Sequence, residues 1–382
     1  MKITLIGTLP PLKALSPYCF HLADALSKKT NLEFISFKEI LPEFLYWGGT
    51  KENEDIAIKR INYKRILRWY NPFSLIKTGV KITGDILHVQ HWSLYSGFAY
   101  SIILPIAKIR KKKIIITVHN ITPHTEKFID ILLDKIFNKI IFPFADIFII
   151  HNKRNKAKFL DLYRVNEKKI YILPHGTTYP YQQVKRISKK EARKRLEISQ
   201  DKKIILFFGY IWDYKGLDIL LNSMEYIKKK IPKVLLIIAG QPAKKWIKYE
   251  RIIEKKDLTK VILRALRYIP DSELEYYFSS SDLVICPYKK HPFDTHGGVG
   301  ALALSFKKPL IVTDVGGLPE YVLDKKAIVH PEDIEDLAQK ISIILNDKKL
   351  LEKLSNDSNI LSKKLSWDKI ADKTIQIYKN LL

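Results

Sequence analysis

The sequence predicts an α/β protein built from two doubly wound, Rossmann-like parallel sheets. Its 382 residues exceed the roughly 250 to 300 that one hydrophobic core supports, so two domains are expected. Short β-branched runs alternate with helical patterns along the chain, which is typical of parallel strands covered on both faces. The pattern restarts near the middle, where residues 204–209 open a second half as residues 3–7 open the first.

The predicted strands are Ile3–Ile6, Asp85–Val89, Ile114–Val118, Asp146–Ile150, Ile170–Pro174, Ile204–Phe208, Val234–Ala239, Asp282–Cys286 and Leu310–Thr313. The stretch 179–188 is polar and basic without periodicity, so we expect domains over residues 1–180 and 181–365. The last segment, 366–382, predicts a helix capped by Ser366 that packs back towards the first domain. Ligands of such sheets bind beyond the carboxyl ends of the strands, so a central cleft between the halves is the expected site.

Composition excludes several classes of protein. Hydrophobic residues make up 46% and charged residues 28% of the chain, which rules out bulk disorder. Cys19 and Cys286 are the only cysteines, so no disulfide framework or cysteine zinc site is possible, and a reducing compartment is favoured. The first residues lack the apolar region of a signal peptide, and no apolar run reaches the roughly 18 residues of a spanning helix. We therefore expect a cytoplasmic protein.

The chain is strongly basic throughout. Its net charge is +26, with 28 Lys and Arg against 14 Asp and Glu in residues 1–180, and 38 against 26 in the rest. Such a surface suits anionic lipid, nucleic acid or phosphorylated substrates. A lysine- and isoleucine-rich proteome would explain the same charge.

A glycine pair predicts an anion site. Gly297 and Gly298 precede a helical run from Val299, so backbone N–H groups at a helix N-terminus would face the strand ends. The alternative is that the glycines only turn the chain. The next strand then brings Asp314 and the turn 316–320 to the same edge.

Together, several motifs resemble glycosyltransferase family 4. They are TVHN (117–120), ILPHG (172–176), FFGYIWDYKGLDILL (207–221), YIPDSELEYYFSSSDLVICPY (268–288), KPLIVTDVGGLPE (308–320) and SWDKIA (366–371). The resemblance covers nearly the whole chain. It implies a GT-B fold and a retaining enzyme, with a nucleotide-sugar donor of UDP or GDP type bound mainly by the second domain and an acceptor bound mainly by the first.

The resemblance assigns roles to individual residues. Lys215 matches the family lysine that binds the donor diphosphate, where its charge would offset that of the leaving group; the alternative is a solvated lysine in a turn. His119 matches the active-site histidine near the donor sugar; the alternative is a histidine that ends a core strand. The remaining assignments are Gly297, Gly298, Val299 and His296 on the diphosphate, and Gly209, Tyr210, Tyr268, Ile269 and Glu320 on the nucleotide side.

The chain departs from the family pattern in three places. The family signature has two glutamates, and this chain has Asp294 in place of the first and Leu302 in place of the second. A carboxylate is therefore kept near the sugar, whereas the side chain that binds the ribose hydroxyl groups is lost. Tyr210 stands where an arginine normally helps the lysine. The amino-terminal loop has Ala14, Leu15 and Ser16 where a glycine pair usually lets the backbone approach donor and acceptor. These departures affect the expected activity more than the expected fold.

Two further interpretations concern metals and membranes. His119 and His124, with His88 and His91, suggest a metal site, but no carboxylate stands at ligand spacing and the resembled enzymes need no metal, so we expect none. Residues 44–47 and 64–70 mix aromatic and basic residues as interfacial helices do. They favour a lipid-linked acceptor and peripheral association with the inner face of an anionic membrane; core aromatics beside a solvated face are the alternative.

The sequence thus predicts a hexosyltransferase that acts with retention, with the departing phosphate accepting the acceptor's proton. The acceptor is a glycan or a lipid-linked sugar. The alternatives are an epimerase or phosphorylase of the same fold and a degenerate member that binds without turnover. Binding to nucleic acid would depend only on charge and is not expected.

Overall fold

The structure is a computed structural model. It describes residues 1–10, 12, 15–39, 58, 61–123, 127–177, 186–243, 246–291 and 298–382. The chain divides into two compact units: the first unit comprises residues 1–176 and 365–382, and the second unit comprises residues 177–364.

The first unit is built on a seven-stranded parallel sheet in the order β3-β2-β1-β4-β5-β6-β7. Its strands are β1 (Lys2–Gly7), β2 (Asn31–Glu39), β3 (Tyr63–Arg68), β4 (Ile86–His91), β5 (Lys113–Val118), β6 (Ile147–Ile150) and β7 (Ile170–Ile172). Its first five helices are α1 (Ser16–Ser27), α2 (Pro72–Lys81), α3 (Leu94–Ile109), α4 (Phe128–Ile141) and α5 (Lys153–Leu162). The core lies between the sheet and these helices, as expected for strands with two covered faces.

Local sequence signals explain where several helices begin. Asn71 accepts a hydrogen bond from the Ser74 amide and is followed by Pro72, which has the fixed φ of a first helical turn. Asn152 caps α5 in the same way through the Asn155 amide. Both helices therefore begin directly after a strand, with their N-termini at the carboxyl edge of the sheet.

The second unit repeats the plan with a six-stranded parallel sheet in the order β10-β9-β8-β11-β12-β13. Its strands are β8 (Lys203–Phe208), β9 (Val234–Ala239), β10 (Ile262–Ala265), β11 (Leu283–Cys286), β12 (Leu310–Thr313) and β13 (Ile328–Val329). Its helices are α6 (Lys189–Arg195), α7 (Leu217–Lys230), α8 (Ile247–Lys255), α9 (Leu274–Ser280), α10 (Gly298–Ser305), α11 (Ile334–Asn346) and α12 (Lys348–Lys364). In each sheet the strand order reverses next to the first strand, between β1 and β4 in the first unit and between β8 and β11 in the second. Such a reversal is a topological switch point, where ligands of these sheets bind.

The last helix, α13 (Trp367–Lys379), lies in the first unit against α1. The Lys29 ammonium is 2.6 Å from the Asp372 carboxylate, and the Trp367 ring lies against Gly176, where a Cβ would come within 2.6 Å of the ring. The chain therefore returns to its first unit after completing the second.

The predicted fold class, two doubly wound parallel sheets, is confirmed, and all nine predicted strands are present. Four strands were not predicted: β2, β3, β10 and β13. One interpretation is wrong, because residues 63–68 form strand β3 rather than an interfacial helix; their alternating side chains and pairing with β2 favour an edge strand. Residues 44–47 lie outside the described residues. Within the described ranges, no helix is both long and apolar enough to cross a membrane.

Candidate active site

The switch point of the second sheet lies between β8 and β11. Gly209 follows β8 with a φ of +93°, a conformation that favours glycine. A Cβ on Gly209 would lie 3.0 Å from the Lys215 Nζ and 3.4 Å from a Val299 methyl group. The end of β8, the lysine and the start of α10 therefore meet at the carboxyl edge of the sheet.

Gly216 fixes the position of Lys215. Its φ is +69°, and a Cβ there would lie 1.9 Å from the Pro287 carbonyl oxygen, so only glycine fits. The Lys289 ammonium contacts Asp218 at 2.7 Å from the other side of the turn. The short turn that carries Lys215 is thus held against the residues that follow β11.

Lys215 is a buried cation, with 8% of its surface exposed. Burial lowers the pKa of its ammonium from 10.5 to about 8, and the nearby Cys286 opposes the shift. The Nζ lies 5.9 Å from the centre of the Tyr288 ring. Among the described residues, no carboxylate or carbonyl oxygen pairs with this Nζ. A buried charge without a partner is costly, so the position fits a group that meets an anionic ligand.

The first turn of α10 lies beside Lys215. The helix begins at Gly298, where a Cβ would meet nothing within 4 Å, and Val299 is the residue next to Gly209. Open space in front of free helix N–H groups is favourable for an anion. Leu302, in the second turn, is buried and offers no group to a ribose.

Glu320 and the aromatic residues flank this site. Tyr321, next in the chain to Glu320, lies against Gly300 of α10, where a Cβ would come within 2.9 Å of its ring. The Tyr210 and Tyr268 ring centres are 6.4 Å apart, and Tyr210 is 40% exposed. Ile269 is buried. The structure therefore brings Lys215, Gly209 and Val299 together and pairs the two tyrosines.

Four predicted site residues lie outside the described residues. They are Ala14 in the amino-terminal loop and Asp294, His296 and Gly297 before α10. Their assignments stay predictions. Leu15 and Ser16, from the same loop as Ala14, stand at the start of α1, and the Ser16 hydroxyl is buried without a hydrogen-bond partner.

His119 lies at the carboxyl edge of the first sheet, in a buried hydrogen-bond chain. Its Nε2 is 2.8 Å from the Gln90 side-chain oxygen, and its Nδ1 is 3.0 Å from the His151 Nε2. The His151 Nδ1 is 3.0 Å from the Leu173 carbonyl oxygen. Both ring nitrogens of His119 thus have protein partners, so contact with a sugar has to use a ring carbon or replace one of them.

The acceptors at the two ends of this chain constrain the outer ring nitrogens. The Leu173 carbonyl oxygen and the Gln90 side-chain oxygen can only accept, so the His151 Nδ1 and the His119 Nε2 are the donors in this arrangement. The contact between the two rings links them into one polar chain beneath the edge of the sheet.

Tyr18 lies at the centre of a cluster that sequence reasoning did not predict. Its ring centre is 4.6 Å from that of His119, 5.3 Å from His151, 5.0 Å from His175 and 5.0 Å from Trp367. The Tyr18 hydroxyl and the Trp367 indole N–H are buried and have no hydrogen-bond partner in the part of the chain that the structure describes. These two groups can bind hydroxyl groups of a small polar ligand.

Two of the other predicted metal candidates, His88 and His91, are core histidines, and His124 lies outside the described residues. His88 contacts the Tyr378 hydroxyl at 2.6 Å and the Thr117 hydroxyl at 2.7 Å, and burial lowers its pKa to about 3. Burial lowers the pKa of His91 to about 4. In the part of the chain that the structure describes, no three His, Cys, Asp or Glu side chains are placed to hold a metal ion.

Comparisons with known proteins find glycosyltransferases that are similar in sequence. Residues 188–359 match the family described as Glycosyl transferases group 1. An uncharacterised glycosyltransferase of Methanocaldococcus jannaschii is 26% identical over 234 residues, which cover 60% of this chain and 58% of the relative; the chain thus spans little more than half of that relative. A Bacillus subtilis protein named as a teichuronic acid biosynthesis glycosyltransferase is 24% identical over 85% of this chain and 78% of its own length.

Solved structures share the fold over the full chain. The Anabaena protein HepE, solved in complex with UDP, superposes with a TM-score of 0.73 at 14% identity and covers 100% of both chains. The two doubly wound sheets and this likeness define the fold class as GT-B. The match to the family described as Glycosyl transferases group 1 falls on residues 188–359, which make up most of the second unit.

Proposed function

We propose that the protein is a hexosyltransferase of the glycosyltransferase family 4 type, which transfers a hexose from a nucleoside diphosphate sugar to an acceptor hydroxyl with retention at the anomeric carbon. The observation that carries the proposal is Lys215. It is a buried ammonium without a hydrogen-bond or ion-pair partner among the described residues, located at the switch point of the second sheet beside the N-terminus of α10.

The site has the charge that a diphosphate leaving group requires. The Lys215 ammonium and the first N–H groups of α10 donate to phosphate oxygens, and both are in place before the ligand binds. As the bond between C1 and the phosphate oxygen breaks, negative charge grows on that oxygen. Donors that are already oriented stabilise this charge without a metal ion.

Retention follows from a transfer on one face of the sugar. The acceptor oxygen forms its bond to C1 on the side from which the phosphate departs, and the acceptor proton passes to a phosphate oxygen. No protein general base is needed, so catalysis depends on positioning and on stabilising the leaving group. His119 and Asp294 are the residues proposed to hold the sugar.

The nucleotide is proposed to lie on the side of Tyr210, Tyr268 and Ile269, with Glu320 nearby. The exposed Tyr210 ring offers a surface on which a base can stack. HepE has been solved with UDP and with UDP-glucose, which supports a nucleotide-sugar donor of the UDP type here, with GDP as the other candidate.

The acceptor is proposed to bind to the first unit, near Tyr18 and Ser16. Their buried hydroxyl groups, which have no hydrogen-bond partner among the described residues, suit the hydroxyl groups of a glycan or a lipid-linked sugar.

A catalytically degenerate binding protein is the second candidate. Two observations favour it: Leu302 is buried where the family has a ribose-binding glutamate, and Tyr210 replaces an arginine. Such a protein would bind the nucleotide through Lys215 but would neither transfer nor hydrolyse the sugar.

The experiment is a panel of UDP-, GDP-, ADP- and dTDP-sugars, measured by calorimetric binding and by slow hydrolysis. Wild type is compared with Lys215→Met and with Lys308→Met, which alters another lysine of the second unit. We expect one donor to bind and to be hydrolysed, and Lys215→Met alone to abolish both. Binding without hydrolysis would favour the degenerate protein, and no binding to any donor would refute both candidates.

A further inference from the structure

The outer surface of helices α2, α3 and α4 forms one face of the first unit. The connections β3 to β4, β4 to β5 and β5 to β6 all move in the same direction along the sheet. Because such connections are right-handed, the three helices lie on the same side of the sheet. They pack side by side, with Gly79 of α2 against Ile106 of α3 and Gly97 of α3 against Phe137 of α4. We call their outer surface the α2–α4 face.

Large apolar side chains on this face are exposed. Phe73 is 84%, Ile109 is 81% and Phe128 is 77% exposed, the three highest values among the large apolar residues that the structure describes. Along α2 and α4 the others recur every three or four residues, as one stripe of a helix does. They are Ile76 and Val80 on α2, and Ile129, Leu132, Ile136 and Ile140 on α4.

The second unit provides a contrast. Its exposed aliphatic residues are Ile247, Leu323, Ile343 and Ile360, one on each of four separate segments, with exposures near 50%. Isolated apolar residues are normal on a protein surface, whereas two parallel stripes on neighbouring helices indicate a surface that contacts another apolar phase.

Lysines alternate with the apolar residues of this face. Lys77 and Lys81 are exposed between Phe73 and the end of α2, and Lys135 and Lys139 are exposed on α4. The carboxylate of Asp134 points away from this surface, because it is buried and accepts a hydrogen bond from Asn138. Apolar and cationic side chains on one helical face are typical of helices that lie in a membrane interface.

A basic groove borders the same face. It has a volume of about 450 Å³, lies between β3 and α2, and includes Phe73 in its lining. The basic residues that line it are Lys38, Lys64, Arg65, Arg68, Lys77 and Lys81, and Glu33 is the one carboxylate among the described residues of its lining.

Much of this positive charge is uncompensated. Glu33 pairs with Lys64 at 2.6 Å, and the Arg65 guanidinium donates to the Pro10 carbonyl oxygen. Within the described ranges, Lys38, Lys77 and Lys81 have neither an ion pair nor a hydrogen bond. Three free ammonium groups in one concave site attract phosphate groups.

We propose that the α2–α4 face docks on an anionic phospholipid bilayer, with its apolar stripes in the interface and lipid phosphates in the basic groove. The two features support the same partner, since a lipid surface offers apolar chains and anionic headgroups together. A nucleic acid would match the lysines but would leave Phe73, Ile109 and Phe128 in water. The proposal does not depend on the transferase activity, and its test needs no sugar donor.

The test is co-sedimentation of the full chain with vesicles of phosphatidylcholine alone or of phosphatidylcholine with about one third phosphatidylglycerol, at physiological salt. Wild type is expected to bind the anionic vesicles at least about tenfold more strongly than the neutral ones. Phe73→Ser with Phe128→Ser should reduce binding to anionic vesicles by about tenfold or more, because both rings leave the interface. Lys77→Glu with Lys81→Glu should reduce it by a similar factor or more.

Matched changes in the second unit separate a specific face from the general attraction of a basic protein. Ile343→Ser with Ile360→Ser removes two exposed apolar residues, and Lys363→Glu with Lys364→Glu reverses two exposed lysines at a helix end. Both controls should bind within about twofold of wild type. All substituted residues are exposed, and unchanged thermal unfolding would verify that the variants fold.

Two results would overturn the proposal. One is wild-type binding to anionic vesicles that is no stronger than binding to neutral ones. The other is an equal loss of binding in the first-unit variants and their second-unit controls, which would show attraction by net charge alone.

Discussion

Two regions of the second unit hold buried lysines whose pKa values are lowered to about 8, and they differ in how the charge is compensated. The Lys308 ammonium donates to the Ser279 carbonyl oxygen at 3.2 Å and to that of Ser281 at 2.9 Å, and Asp282 is nearby. The Lys215 ammonium, beside Gly209 and Val299, has no such partner among the described residues. Burying the ammonium group costs free energy in both regions. Only the Lys308 ammonium regains part of this free energy through hydrogen bonds to described protein groups.

The difference separates a structural lysine from a binding lysine. The carbonyl groups around Lys308 would lose their donor if the lysine were removed, so that region needs these hydrogen bonds to fold well. The region around Lys215 would fold better without the charge, because no carboxylate or carbonyl oxygen of the described residues pairs with it. A buried lysine of this kind at a switch point is suited to an anionic ligand.

The largest expected effect is on the donor. Lys215→Met should reduce donor affinity and turnover by about a hundredfold or more, since it removes the charge that faces the diphosphate. Lys308→Met should change both by less than about threefold. Calorimetric binding of the selected donor measures the two variants side by side. Equal losses in the two variants would remove the distinction between the two regions.

The pH dependence of binding sharpens the comparison. Lys215 loses its proton near pH 8 in the free protein, because burial lowers its pKa. Donor affinity should therefore fall as pH rises above about 8, by up to about tenfold per pH unit. Binding to Lys215→Met should be weak and nearly independent of pH in this range. A wild-type profile that stays flat to pH 10 would contradict the assignment.

The third prediction concerns the missing arginine. Tyr210→Arg places a second cation at the end of β8 and should raise donor affinity by about fivefold, because phosphate binds guanidinium groups well. Tyr210→Lys is a suitable comparison, since it adds charge without the forked geometry. A weaker donor complex in both variants would mean that the tyrosine ring itself contacts the nucleotide.

The smallest expected effect is on stability and has opposite signs in the two regions. Lys215→Met should raise the free energy of unfolding by about 1 kcal/mol at neutral pH, and Lys308→Met should lower it by about the same amount. The pKa of Lys215 is lower in the folded state than the unfolded value of 10.5. The loss of stability caused by burying its charge is therefore complete below pH 8 and disappears as the pH rises towards 10.5. Urea unfolding at pH 7 and pH 10 measures both signs and the change with pH.

Much of the fold could be predicted because buried parallel strands are continuous apolar runs. The edge strands were harder: β3 alternates basic and apolar residues, and β13 has only two residues. Lys215 could be recognised from its motif, but no sequence signal shows that its ammonium lacks a partner. That property depends on the turn at Gly216 and on where α10 begins.

The histidine cluster of the first unit was missed for a topological reason. His119 and His151 directly follow neighbouring strands, and His175 comes shortly after the next one. Carboxyl ends of neighbouring parallel strands share one edge of a sheet, so this repetition was a usable signal. Trp367 carries no such signal, because it reaches Tyr18 only when α13 returns to the first unit.

The most direct test of the account is the pKa of the Lys215 ammonium, measured by NMR of the labelled lysine with and without the nucleoside diphosphate that the donor panel selects. We expect a pKa of about 8 in the free protein, rising by at least about one unit in the complex while Lys308 stays unchanged. A Lys215 pKa that the nucleotide leaves unmoved would show that the diphosphate binds elsewhere.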